Sequence, residues 1–111
     1  MALSNIIQLS EFDVTQKIIE SLSNVCTRAV LFSVKKESKD ATQIAEELKL
    51  SISTVYKTLS ALEDLGLIEV QKFIFSSEGK KIKKYRSRIR KVEITLDNTE
   101  PVLHLHPNKK V

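Results

Sequence analysis

The chain is poor in the residues that interrupt or cross-link a fold: among 111 residues there are two Gly, two Pro, one Cys and no Trp. A single cysteine, Cys26, excludes an internal disulfide and a cysteine-based zinc site within one chain, and it fits a reducing, intracellular setting. The scarcity of Gly and Pro excludes collagen-like and low-complexity chains, and 41% hydrophobic with 29% charged residues is a globular composition. With aromatics at 5%, the core has to be aliphatic. No apolar run approaches the roughly 18 residues of a membrane span. The opening "MALSNIIQLSEF" also lacks the basic start and long apolar stretch of a signal peptide, so a cytoplasmic protein without a membrane partner is expected. A Gly-rich phosphate loop, a nucleophile with a base motif and a carboxylate cluster at metal spacing are all missing; neither an enzyme nor a cofactor is expected.

What the chain does have is positive charge gathered in one place. The net charge is +4, yet residues 1–70 carry −3, residues 71–92 carry +8 and residues 93–111 carry −1. Within "GKKIKKYRSRIRKVEI", eight Lys and Arg fall in twelve positions without an acid. Such concentration is the electrostatic footprint of a contact with a polyanion.

Periodicity supplies the scaffold. "DVTQKIIESLS" places Val14, Ile18, Ile19 and Leu22 on one helical face with Asp13 as N-cap, and the residues up to Phe12 read as a short strand or extended lead. "NVCTRAVLFSVKK" repeats Val25, Ala29 and Phe32 or Leu31 at helical spacing and ends in Lys35 and Lys36, which suit a helix C-terminus. Asp40 stands three residues before Gln43, a capping box for a third helix whose inner face is Ile44, Ala45 and Leu48. After a short turn at Lys49 and Leu50, Ser51 caps a fourth helix, 52–65, with Ile52, Val55, Leu59 and Leu62 inward and Gly66 as the left-handed stop. "LIEVQKFIF", the turn "SSEGK" and the basic stretch then alternate as strands. Two helices across a tight turn followed by a hairpin give an α+β fold: a winged helix-turn-helix of three to four helices and an antiparallel wing whose last strand is extended. The domain is expected over 1–97, with the wing at 68–96 and a C-terminal tail at 98–111 that has room for one short strand.

"STVYKTLSALEDLGLIEV" resembles the recognition helix and first wing strand of winged-helix transcription regulators, and "LSNVCTRAVL" is similar to the start of the same unit in the arsenical-resistance repressor (ArsR-like) superfamily. The likeness covers about residues 21–96, and the long strand after the wing turn is in the style of archaeal members. Sugar-responsive regulators of the TrmB type have a similar Val-Tyr helix. Ferric uptake regulators share a Thr-Val-Tyr run, but they normally carry a second metal-binding domain and Cys-x-x-Cys pairs that this chain lacks. The resemblance implies sequence-specific binding of double-stranded DNA and regulation of transcription, most simply repression by occluding a promoter. Lys49 departs from the pattern by standing where the turn usually has Gly; a left-handed Lys there costs of order 1 kcal/mol.

With the apolar face inward, Ser51, Ser53, Thr54, Tyr56, Lys57 and Ser60 are the candidate readers of the major groove: hydroxyls for base edges or phosphates, Tyr56 for a thymine methyl or phosphate, Lys57 for guanine or backbone. The alternative is a merely solvated polar face. In the wing, alternation sets Ile82, Lys84, Arg86, Arg88 and Arg90 on one face and Lys83, Tyr85, Ser87 and Ile89 on the other, with bases spaced about 6.6 Å apart. Lys80, Lys81, Lys83, Lys84, Arg86 and Arg88 are the candidate phosphate or minor-groove contacts, against the alternative of a charged edge strand protected from aggregation. The apolar parity flips from Ile89 to Val92, Ile94 and Leu96, so either a bulge forms near Arg90 and Lys91 or the strand leaves for another surface. His104 and His106, in "HLH", are weak metal candidates with Cys26 or a partner's carboxylate. Apolar Ile18, Ile19 and Leu22 ahead of the core helices point to a homodimer on a palindromic site, and Val92 to Leu96 are expected to belong to the body or to the dimer interface. A winged helix used for protein contacts in transcription or replication machinery, and a metal-responsive regulator, are the competing readings; no small-molecule effector is identifiable.

Overall fold

The computed structural model describes residues 14–109. Asp13 as a cap and the lead up to Phe12 lie outside the described residues. Helix α1 is described from residue 14 to residue 22. It is followed by α2 (Val25–Ser33), α3 (Ala41–Leu48), α4 (Ile52–Asp64), β1 (Ile68–Phe75), β2 (Lys81–Ser87), β3 (Ile89–Thr95) and β4 (Val102–Pro107). Two antiparallel hairpins result, β1–β2 and β3–β4. The α+β winged helix-turn-helix is therefore the fold of this chain.

Local chemistry sets each boundary. The Asn24 side chain accepts from the Thr27 amide to open α2. At α3 the Asp40 carboxylate accepts from the Gln43 amide at 2.8 Å, and Gln43 Oε1 accepts from the Asp40 amide at 2.9 Å, so both orphan donors of the first turn are satisfied. Ser51 Oγ accepts from the Thr54 amide to start α4. At its end Gly66, at φ 75°, lets the Leu67 amide donate to Leu62 O and the Gly66 amide to Glu63 O, a Schellman closure clamped by the buried pair Leu62 and Leu67.

Lys49 is indeed left-handed, φ 56° and ψ 45°, with the Leu50 amide donating back to Ala45 O. A side chain is strained there and glycine is not. Lys49→Gly should raise stability by about 0.5–1 kcal/mol, since the relieved strain exceeds the extra entropy glycine loses. Thermal melts should register this as a rise of about 4–8 °C per kcal/mol.

The core gathers Ile18 and Leu22 of α1, Val30, Leu31 and Val34 around α2, Ile44 of α3, Val55, Leu59 and Leu62 of α4, and Leu67, Ile68, Tyr85 and Ile89. Two expectations change. In α2 the inward residues are Val30 and Leu31, while Val25 and Phe32 are exposed, because the short helix presents to α4 the stripe that leads into Val34. Ile18 and Leu22, two of the three residues from which a dimer was expected, are spent on the chain's own core, and Ile19 is half-buried.

The strands are joined to the helices by backbone as well as by packing. Lys39, just ahead of α3, bridges Tyr85 in β2 through two backbone hydrogen bonds, its amide donating to Tyr85 O at 3.0 Å and its carbonyl accepting from the Tyr85 amide at 2.8 Å, and the Ser87 amide donates to Val34 O. The basic strand then changes sheets at Arg88, whose amide donates to Leu67 O and whose carbonyl accepts from the Asn108 amide. Buried Ser87 supports the switch: its hydroxyl accepts from the Ile89 amide and donates to Ile89 O. Beyond it, β3 pairs with β4 with a register shift between Ile89 and Lys91, which reverses the parity of the apolar residues. The stretch read as a tail holds β4, and its Val102 pairs with Thr95, so this hairpin runs across the division expected at residue 97.

Candidate nucleic-acid interface

Helix α4 buries Val55, Leu59 and Leu62 completely and so fixes which way its polar face looks. Ser51, Ser53, Tyr56, Lys57 and Ser60 are exposed, and Thr54 is half-buried. Ser51 and Thr54 have local duties: Ser51 Oγ caps the helix and donates to Thr54 Oγ1 at 2.8 Å. Ser53, Tyr56, Lys57 and Ser60 are the freer set. Ile52, expected inward, is 43% exposed, because the first turn of α4 extends past the rim of the core. This apolar residue beside Ser53 and Tyr56 escapes a reading by periodicity, which can only assign it to the buried stripe.

The wing divides into two parts. Lys80, Lys81 and Lys83 are exposed around the β1–β2 turn, which is closed by Ser76 and by Gly79 at φ 81°. Lys81 Nζ stands 4.1 Å over the Phe73 ring, so its stem is braced while its charge stays in solvent. Nearer the body the expected outward column fails. Lys84 turns to α3, its ammonium donating to Gln43 Oε1 at 2.6 Å and lying 3.8 Å from Asp40 Oδ2. Arg86 is 5% exposed, and its guanidinium donates through Nε to Lys35 O. Alternation presupposes one face in solvent, whereas residues 85–87 are buried on both faces between the helices and the second hairpin. Lys84 and Arg86 are thereby withdrawn from the candidate contacts. Arg88 is exposed and sits at the sheet switch, 3.9 Å from Glu69 and donating to Gly66 O.

Between wing and helix lies a cleft of about 670 Å³, walled by Asp40 and the first turn of α3 (Ala41, Thr42, Gln43), by Tyr56 of α4, by residues 80–83 and by Tyr85. Burial, with Glu63 and Tyr56 nearby, pushes the Tyr85 phenol above its ordinary value, so it stays neutral to higher pH. The ammonium groups of Lys80, Lys81 and Lys83 outnumber the one carboxylate of this lining, Asp40, which Lys84 already approaches at 3.8 Å, an arrangement suited to phosphates.

His104 and His106 project from one face of β4 with ring centroids 6.0 Å apart. His106 Nε2 lies 2.8 Å from Glu93 Oε1, and Lys91 Nζ lies 3.3 Å from the same oxygen. Hydrogen bonding from Lys91, then from His106, holds the Glu93 carboxyl below its ordinary value, so it stays charged to lower pH. Among the described residues, no group of three or more His, Cys, Asp and Glu is placed to hold a metal ion, and no helix is long and apolar enough to cross a membrane.

The family model described as "Sugar-specific transcriptional regulator TrmB" matches residues 29–88, from within α2 to the residue at which the chain changes sheets. An uncharacterized HTH-type transcriptional regulator of Methanocaldococcus jannaschii is 37% identical over 68 residues, which make up 61% of this chain and 72% of that relative. The family match falls on the part that carries the helix-turn-helix and the wing. This chain belongs to the TrmB family of transcriptional regulators, proteins that act on DNA and are not enzymes.

Proposed function

We propose that this protein is a sequence-specific regulator that reads the major groove with α4 and grips phosphates with the tip of the wing, repressing by occupying a promoter. The observation that carries this reading is the cleft in which Tyr56 of the recognition helix and residues 80–83 of the wing face one another. Ser53, Tyr56, Lys57 and Ser60 supply polar groups for base edges, and exposed Ile52 supplies an apolar surface for a thymine methyl. Selection from a randomised duplex pool tests the reading. A defined motif should emerge, and Lys57→Ala should relax its preference at one or two positions at a cost of about 1–3 kcal/mol, while wing changes weaken all sequences alike. A pool that stays random after selection would sink it.

A homodimer is part of the proposal, now resting on the second hairpin. Val92, Ile94, Leu103 and Leu105 share one face of β3–β4, and this apolar row continues past the core to Ile94, 43% exposed, and Leu96, 72% exposed. A second copy seated there would set two recognition helices on a palindrome. Sedimentation should give twice the 12.6 kDa chain mass, reverting to one chain in Ile94→Asp/Leu96→Asp. A monomer at all concentrations refutes this part alone.

A further inference from the structure

At the junction of the two hairpins lies a cavity of about 440 Å³ that shares no residue with the cleft beside α4. Arg86 lies in its wall. Its guanidinium is almost wholly buried, yet among the described residues no carboxylate comes within ion-pair distance of it. Two of its N–H groups have acceptors, Lys35 O at 3.1 Å and Lys109 O at 3.5 Å, and both are neutral carbonyls. A guanidinium carries five donors in a planar fork, so three remain for whatever enters. A charge largely withdrawn from bulk water is costly without a counter-ion, and the nitrogen left without a partner still opens to solvent on the cavity side.

The rest of the lining has the same sign. Arg88 and Lys109 add two cations against one acid, Glu69, which already faces Arg88 at 3.9 Å. Gln71, the extra residue at the register shift between Val70 and Lys72, contributes an amide, and Asn108 fixes the wall by donating to Lys35 O and Ser87 O. The volume falls in the range of small-molecule sites, larger than a bare ion needs.

We propose that this cavity binds a small organic oxyanion, a phosphate- or carboxylate-bearing molecule, through the guanidinium of Arg86. The proposal does not rest on the DNA reading, because the site uses other residues. Its ligand would touch β1, β2, the sheet switch and the segment after β4, and would so tie the wing to the second hairpin. The match to the family ends at the switch itself.

The test is a two-dimensional amide NMR titration of the full chain at constant ionic strength, with inorganic phosphate in one arm and succinate in the other. Saturable shifts are expected at Ser87, Arg88, Asn108 and the Arg86 side-chain Nε–H, and the arm that saturates first identifies the anion class. Gln71→Glu should weaken that binding by at least about tenfold, since it sets a tethered carboxylate beside the guanidinium. Equal amide dispersion in the variant shows that it is folded. The absence of saturable shifts in both arms overturns the site, as do shifts confined to Tyr56 and residues 80–83, or undiminished binding by Gln71→Glu.

Discussion

Replacing Lys80, Lys81 and Lys83 together by Gln is expected to weaken duplex binding roughly 500-fold per protomer at 0.1 M salt, and to flatten the log–log salt slope by about 2.7. The figure follows from counterion release, which contributes about 0.9 of a power of the salt concentration for each phosphate neutralised. All three side chains are exposed around a turn and, among the described residues, make no hydrogen bond or ion pair, apart from the contact of Lys81 over Phe73. Gln keeps the backbone pairing with β1, so the fold should survive the change. Anisotropy titrations of one labelled duplex at several salt concentrations supply both numbers. Lys84→Ala is the informative contrast. Its ammonium is held by Gln43 and Asp40 at the α3 cap, so its removal should act on stability and leave the salt slope of the folded protein nearly unchanged. A salt slope flattened by Lys84→Ala as well would mean that its ammonium leaves Gln43 and Asp40 for the duplex. Binding insensitive to both and to salt would favour a winged helix serving protein contacts.

The difference between Lys84 and its neighbours marks where the sequence stops being legible. Helix boundaries were readable because capping is local: Asp40 with Gln43, Ser51 with Thr54, and Gly66 after Asp64 each act within a few residues. The inward face of α4 was readable because three of its four apolar positions are covered by a single core. Ile52 was not, since the core ends before the first turn does. The strand after the wing turn was harder still. Its alternation is intact, but the burial it meets changes along its length, from one open face at Lys81 to none at Arg86. What covers Arg86 comes from Lys35, 51 residues away, and from the segment after β4, neither of which the pattern of β2 can announce. The flip in apolar parity at Ile89 was visible in the sequence; its cause, a change of sheet seated on Ser87, was not.

Leu59→Ala should cost about 2–5 kcal/mol, as truncation of a buried leucine does when its surroundings cannot collapse into the space. Leu59 is 1% exposed, packed in the cluster that joins α4 to the rest of the core. The melting temperature should fall by about 4–8 °C for each kcal/mol lost. Ser60→Ala, one position along on the exposed face, should stay within about 0.5 kcal/mol. Urea melts followed by circular dichroism measure both changes. The same pair separates the two duties of the helix. A domain of this size begins with about 5–15 kcal/mol of stability, so Leu59→Ala stays mostly folded in the cold, and its folded fraction should bind a duplex with nearly unaltered affinity. Ser60→Ala should show the reverse, full stability with weaker binding, if its hydroxyl meets the DNA. A single axis of the helix thus divides what holds it from what it reads, and a destabilised Ser60→Ala or an undisturbed Leu59→Ala would place that axis elsewhere.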